Sequence, residues 1–314
     1  MPDYTCFRLL SAFFSQITPF KILPMNEKIG TAELMNRAFE KGTAIPAFNI
    51  PYLPMMKPVI DALRDAGVMG LVMVARLEWV KFESGSMKAI RDRYEKLKDE
   101  RFTRLHLDHI PVIDEDSRRV PYLDEIREAV SLGYESVMVD GSRLSLKENI
   151  SATREVLEFA ASRGIPVEGE LGAVLGHESG PMPPYEELFR SKKGFTDPDE
   201  AVRFVGETGV NWLSIACGNI HGAISKASKD KQKLRARLDL DHIEKIAGIT
   251  RVPLVLHGGT GISPEDVRNA VSRGIAKINI ATAIRQPYEK NLSRGSSAAE
   301  KAVYDAAISV LVKD

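Results

Sequence analysis

Residues 104–140 contain Arg104-Leu105-His106-Leu107-Asp108-His109, then an amphipathic stretch from Tyr122 to Leu132 closed by Gly133, then Ser136-Val137-Met138-Val139-Asp140. Apolar residues alternate in the first run, recur at helical spacing in the second and cluster in the third, which reads as strand, helix, strand. Pro111 is expected to stop the first strand just past His109. Both strands end on chemically able side chains, Asp108 and His109 in one and Asp140 in the other.

The unit repeats to either side. Further strands are predicted at Ile45 to Ile50, Met69 to Ala75, Pro166 to Leu171, Trp212 to Gly218, Pro253 to Leu256 and Lys277 to Ala281, which with the first two makes eight. Helical periodicity marks Thr31 to Lys41, Met55 to Ala66, Leu146 to Arg163, Pro198 to Thr208 and Pro264 to Ser272. Glycines such as Gly67, Gly133 and Gly209 follow the helices, where a left-handed residue is often required. Eight strands alternating with helices predict an α/β fold, a closed (β/α)8 TIM barrel rather than a doubly wound open sheet. Residues 25–314 are expected to form one barrel domain, with 1–24 an N-terminal extension of no assigned role.

Composition narrows the function classes. Lysine plus arginine (43) equals aspartate plus glutamate (43), and no basic stripe stands out, which argues against a nucleic-acid binder. No apolar stretch approaches the length of a membrane span, and Met1 to Pro24 lacks the basic start and clean apolar block of a signal peptide. Two cysteines, Cys6 and Cys217, do not make a disulfide framework and fit a reducing cytoplasm.

In a barrel of this kind the catalytic groups sit at the carboxyl ends of strands, and Asp108, His109, Asp140, Glu170, His221, His257 and Asn279 all fall there. His109, His221 and His257 close three separate apolar runs. A single such histidine is more often a satisfied core residue, but three at equivalent strand ends are the donor set of a catalytic zinc, whose fourth position stays open. The other histidines are set aside. His106, three positions from His109, is expected to face the opposite side of the strand; His242 is expected to face solvent; His177 lies in a glycine-flanked loop. Gly222, the run Gly258-Gly259-Thr260-Gly261, Asn279 and Thr282 suit an anion site built from backbone amides, which needs no net positive charge.

From about Thr31 to Arg285 the chain resembles the class II, metal-dependent fructose-bisphosphate and tagatose-bisphosphate aldolases. The resemblance rests on Ala47-Phe48-Asn49, Leu107-Asp108-His109, Ser136 to Ser142, Glu168-Gly169-Glu170-Leu171-Gly172, Gly218-Asn219-Ile220-His221-Gly222, His257 to Gly261 and Lys277 to Thr282, in this order. It implies that His109, His221 and His257 bind zinc (Zn2+) and that Asp108 handles the proton of the aldehyde-derived oxygen. It further implies that Glu178 reprotonates the enediolate, and that Asp140 and Glu170 lie by the metal, bonding its ligands or forming an alternative metal position. Asn49, Gly222, Gly258, Gly259, Thr260, Asn279, Ala281 and Thr282 match positions that meet substrate and phosphate. The implied reaction is reversible cleavage of a phosphorylated ketose into dihydroxyacetone phosphate and an aldehyde, by a homodimer or homotetramer. Another divalent metal in place of zinc, and a monovalent cation near the phosphate, are compatible with the resemblance.

The chain departs from the family in three places. After the second strand it reads Val74-Ala75-Arg76-Leu77-Glu78-Trp79 where relatives usually carry glutamine and serine; Tyr52 follows Pro51; and Arg143 replaces a common histidine. Ala281 before Thr282 looks more like the tagatose-type members. Arg76, Arg143 or Arg285 could meet a second phosphate or a carboxylate. The changes leave open another phosphorylated keto-sugar or keto-acid as substrate. A non-catalytic barrel is disfavoured, because Asp108, Glu178 and the three histidines are all retained.

Overall fold

The apolar runs become parallel strands β1 (Ile45–Asn49), β2 (Gly70–Ala75), β3 (Thr103–Pro111), β4 (Ser136–Asp140), β5 (Val167–Leu171), β6 (Trp212–Ile215), β7 (Leu254–Leu256) and β8 (Ile275–Ile280) in a computed structural model. It describes residues 29–174, 184–220, 236–259 and 262–312. Each strand pairs with its neighbour in chain order and β8 pairs with β1, so the sheet closes into a (β/α)8 TIM barrel. Helices between and after the strands include α1 (Thr31–Glu40), α2 (Met56–Ala66), α3 (Arg76–Lys81), α4 (Met87–Leu97), α5 (Tyr122–Leu132), α6 (Leu146–Ala161), α7 (Tyr185–Ser191), α8 (Pro198–Thr208), α9 (Leu240–Thr250), α10 (Pro264–Val271), α11 (Thr282–Asn291) and α12 (Ser296–Val312).

Alternation along the strands divides the apolar residues between two cores. Leu105, Leu107, Val137 and Val139 face the helices in the larger one, while Ala47, Leu71, Met73, Trp212 and Val255 fill the barrel interior. Helix α5 ends because Gly133 takes φ 87°, a left-handed conformation that an L side chain resists.

Strand β3 differs from its expected course. Its pairing with β4 jumps between Leu107↔Val137 and Ile110↔Val139, so Asp108 and His109 together stand opposite the single residue Met138. This is a β-bulge, and His109 takes φ 39° within it. The backbone N–H of His109, out of the ladder, points at Met138 Sδ at 3.3 Å. The strand runs two residues past His109 and ends, as expected, at Pro111, a place where a missing donor is tolerated. Strand β6 ends at Ile215, earlier than predicted, because Thr196 takes over the hydrogen bonding: its Oγ1 accepts from Ala216 N at 2.9 Å and its N–H donates to Ala216 O at 2.9 Å.

Candidate active site

Asp108 is 1% exposed and accepts from two amides, Asn49 Nδ2 from β1 at 2.9 Å and Asn279 Nδ2 from β8 at 3.1 Å. Lys277 Nζ lies 3.8 Å from Asp108 Oδ1. Burial pushes this carboxyl up, but the positive charge of His109, followed by that of Lys277, outweighs burial and holds it well below the usual carboxylate range. A carboxylate kept ionised between two amides is poised to accept a proton.

The bulge brings His109 to the same inner face as Asp108. Its Nε2 lies 2.6 Å from His257 Nδ1, at the end of β7. The far nitrogen of each ring meets carboxylate: His109 Nδ1 is 3.3 Å from Asp140 Oδ2 and 3.5 Å from Glu170 Oε2, and His257 Nε2 is 2.8 Å from Glu168 Oε1. An ionised carboxylate only accepts, so His257 carries its proton on Nε2 and turns the lone pair of Nδ1 toward His109. A carboxylate behind each imidazole is the arrangement that orients metal-binding histidines.

The donor set can be tested against a metal on chemical grounds. His109, Glu170 and His257 offer ligand atoms within 4.8 Å of one another. Glu170 Oε2 is buried and makes no hydrogen bond among the described residues. Burial, together with the like charges of Asp140, Glu168 and Asp108, pushes Glu170 upward. His109 is raised to about 10 despite its burial, because Glu170, Asp108 and Asp140 favour positive charge at that point. Two imidazoles and an unsatisfied carboxylate in a locally negative pocket fit a divalent cation.

Of the other expected site residues, Gly258 and Gly259 follow His257, and Ala281 and Thr282 open α11, next in space because β7 and β8 are paired. Asn49 and Asn279 lie at Asp108 itself. The side-chain Oδ1 of Asn279 is buried and has no hydrogen-bond partner among the described residues, so it is available to a ligand. Glu178, His177, His221, Gly222 and Thr260 lie outside the described residues.

Two readings of the histidines require correction. His106 does not face away from His109, because the bulge between them resets the alternation; it sits in the barrel interior with Nδ1 2.8 Å from Ser136 Oγ, and burial followed by Lys277 lowers it to about 3. His242 does not face solvent: it is 8% exposed and its Nε2 lies 2.8 Å from Thr196 O. Sequence reasoning also gave no role to Glu168, Lys277 and Asn219. Asn219 binds the end of β7 by donating from Nδ2 to His257 O at 2.9 Å. The inward parity of Glu168 with Glu170, and of Lys277 with Asn279, was the available signal.

In the altered rim, Glu78 is the residue that interacts with Asp108. Arg76 pairs with Glu125 at 3.0 Å and Arg285 with both oxygens of Glu289 at 2.9 and 3.0 Å, whereas Arg143 is exposed. Tyr52 joins Arg285 through Glu289, donating its hydroxyl at 2.9 Å. Glu78 is buried in the first turn of α3, and its Oε2 accepts from Ala75 N at 2.8 Å. Burial pushes Glu78 up to about 8, with Asp108 adding to the shift while the hydrogen bonds from Ala75 and Asn49 oppose it.

A carboxyl raised in the fold is accommodated best when protonated, so its contribution to stability is most favourable below its unfolded value and is lost as pH rises through about 8. Glu78→Gln is therefore expected to gain stability over the parent between pH 4.5 and 8, by on the order of a few kcal/mol at the upper end. Urea melts at several pH values test this, and a pH-independent difference would contradict it.

Comparison with known proteins agrees with this geometry. A family model described as fructose-bisphosphate aldolase class-II matches residues 29–312. The chain is similar to the YdjI aldolase from Escherichia coli K12, at 28% identity and TM-score 0.68, over 89% of this chain and 94% of that one. It is similar also to a candidate fructose-1,6-biphosphate aldolase from Coccidioides immitis, at 26% identity and TM-score 0.70, over 89% and 94%. The fructose-bisphosphate aldolase of Campylobacter jejuni, at 19% identity and TM-score 0.62 over 89% and 92%, shares the fold. With this match running unbroken from before β1 to the end of α12, the chain belongs to the class II fructose-bisphosphate aldolase family and is an aldolase, a carbon–carbon lyase.

Proposed function

We propose that the protein reversibly cleaves a phosphorylated ketose, of the fructose or tagatose 1,6-bisphosphate type, into dihydroxyacetone phosphate and an aldehyde. The observation that carries this reading is the ionised Asp108, clamped by Asn49 and Asn279, directly beside the facing nitrogens of His109 and His257. Breaking a carbon–carbon bond next to a ketone requires a base for the departing hydroxyl and a place for the electrons left behind. Asp108 takes the hydroxyl proton. His109 Nε2 and His257 Nδ1, with His221 as the third ligand implied by the family, would hold zinc or another divalent cation, which when bound supplies Lewis-acid stabilisation of the enediolate.

Asp140 and Glu168 orient the two rings from behind, and Glu170, with its unsatisfied oxygen, is the carboxylate best placed to join the metal. Glu178 is assigned the return of the proton to carbon by family resemblance. Backbone amides of Gly222, Gly258, Gly259 and Thr260 and of the start of α11 at Ala281 and Thr282, together with Asn279, are assigned the phosphate and the enediolate oxygens. The cell compartment this suits is the cytoplasm.

A second reading, the same chemistry on a ketose with a different tail, is favoured by the rim. Arg76 and Arg285 already have carboxylate partners, and Glu78 adds a carboxyl group close to Asp108. A coupled assay for dihydroxyacetone phosphate, run with fructose and tagatose 1,6-bisphosphates and with ketose 1-phosphates, separates the two. Turnover of a bisphosphate supports the first reading, and turnover restricted to the 1-phosphates supports the second. No release from any of them, with metal shown to be bound, would overturn both.

A further inference from the structure

The donors beneath the pocket form two clusters that share His257. The outer one is His109, Glu170 and His257; the inner one is Asp108, Glu168 and His257, whose ligand atoms also lie within 4.8 Å of one another. By donor chemistry alone either suits a cation. They differ in that the inner cluster already contains a positive charge.

Lys277 Nζ lies 2.6 Å from Glu168 Oε2 and 3.8 Å from Asp108 Oδ1, and the lysine is fully buried. Trp212 Nε1 donates to the same Glu168 oxygen at 2.6 Å. Both lone-pair directions of Oε2 are thereby engaged, leaving Oε1 as the acceptor for His257 Nε2 at 2.8 Å. His106 does not compete for this carboxylate: its Nε2 stays 3.6 Å from Glu168, while its Nδ1 bonds Ser136.

We propose that Lys277 is a positioning residue, a built-in cation that fills the inner cluster and, by pinning Glu168, fixes the tautomer of His257 so that Nδ1 faces the outer cluster. A divalent ion is thereby kept out of the interior, where it would consume the base Asp108, and is directed to the place where substrate arrives. This inference rests on the metal site described under the proposed function. It adds the reason that site, and not the deeper one, takes the ion.

Two measurements on intact protein test it. In the zinc-loaded wild-type protein, long-range 1H–15N histidine correlation spectra are expected to show His257, assigned by loss of its signals in His257→Gln, protonated on Nε2 with metal on Nδ1. The reverse arrangement would overturn the proposal. Zinc affinity measured by chelator competition is expected to fall about 10–100-fold in Lys277→Met and Glu168→Gln, the range usual for loss of a group that orients a ligand. Thermal melts check that the variants fold; if neither does, the wild-type spectrum decides alone. Unchanged affinity in a folded variant would overturn the proposal while leaving the metal site standing. A wild-type protein that binds no zinc, cobalt or manganese would instead remove the metal reading, and this inference with it.

Discussion

Asp108→Asn is expected to lower kcat for ketose cleavage by about 10²–10⁴-fold, the usual range for loss of a positioned general base. The substitution keeps the size of the side chain but removes its charge. It also turns one end from acceptor to donor against the amides of Asn49 and Asn279, which now both point at carboxylate oxygens. Zinc content is expected to stay at the parental level, because the rings of His109 and His257 are oriented by Asp140 and Glu168 rather than by Asp108. KM should change far less than kcat if the aspartate acts mainly in the transition state. A variant that turns over within a few-fold of the parent would place the base elsewhere.

Metal removal is the second large effect. Dialysis against chelator is expected to bring dihydroxyacetone phosphate release down to background, and added zinc to restore most of it, since Lewis-acid stabilisation of the developing negative charge is worth several kcal/mol. His257→Ala should be harder to rescue with excess zinc than the parent, because it removes a proposed ligand and also strands the Glu168 carboxylate that the ring satisfies. Full activity in chelator would sink the mechanism.

The barrel was legible because its signal is periodic. Each strand core, from Ala47-Phe48 to Lys277-Ile278-Asn279, is short and bounded by turn residues, and the observed strands lie within a few residues of the expected ones. The strand-end groups Asp108, His109, Asp140, Glu170, His257 and Asn279 followed from the same logic, since the carboxyl ends of the strands share one face. Other features depend on contacts across the barrel and could not be read along the chain. Nothing local to Lys277 says that its ammonium meets Glu168, and nothing near His242 says that its ring reaches Thr196. Alternation also misled at His106, because a bulge is a one-residue exception to period two. Arg76 and Arg285 offered charge in the sequence, but Glu125 and Glu289 claim it in the fold.

That bulge in β3 also fixes how rigidly the chemistry is set. Asp108 and His109 are successive residues on one inner face, so a single trans peptide unit, with its Cα atoms about 3.8 Å apart, separates the proposed proton acceptor from a proposed metal ligand. Most enzyme sites bring such groups together through packing between distant segments, and their spacing drifts as the scaffold breathes. Here the spacing of the two Cα atoms is covalent, so heat or a distant core substitution that loosens the barrel leaves the two backbone positions adjacent.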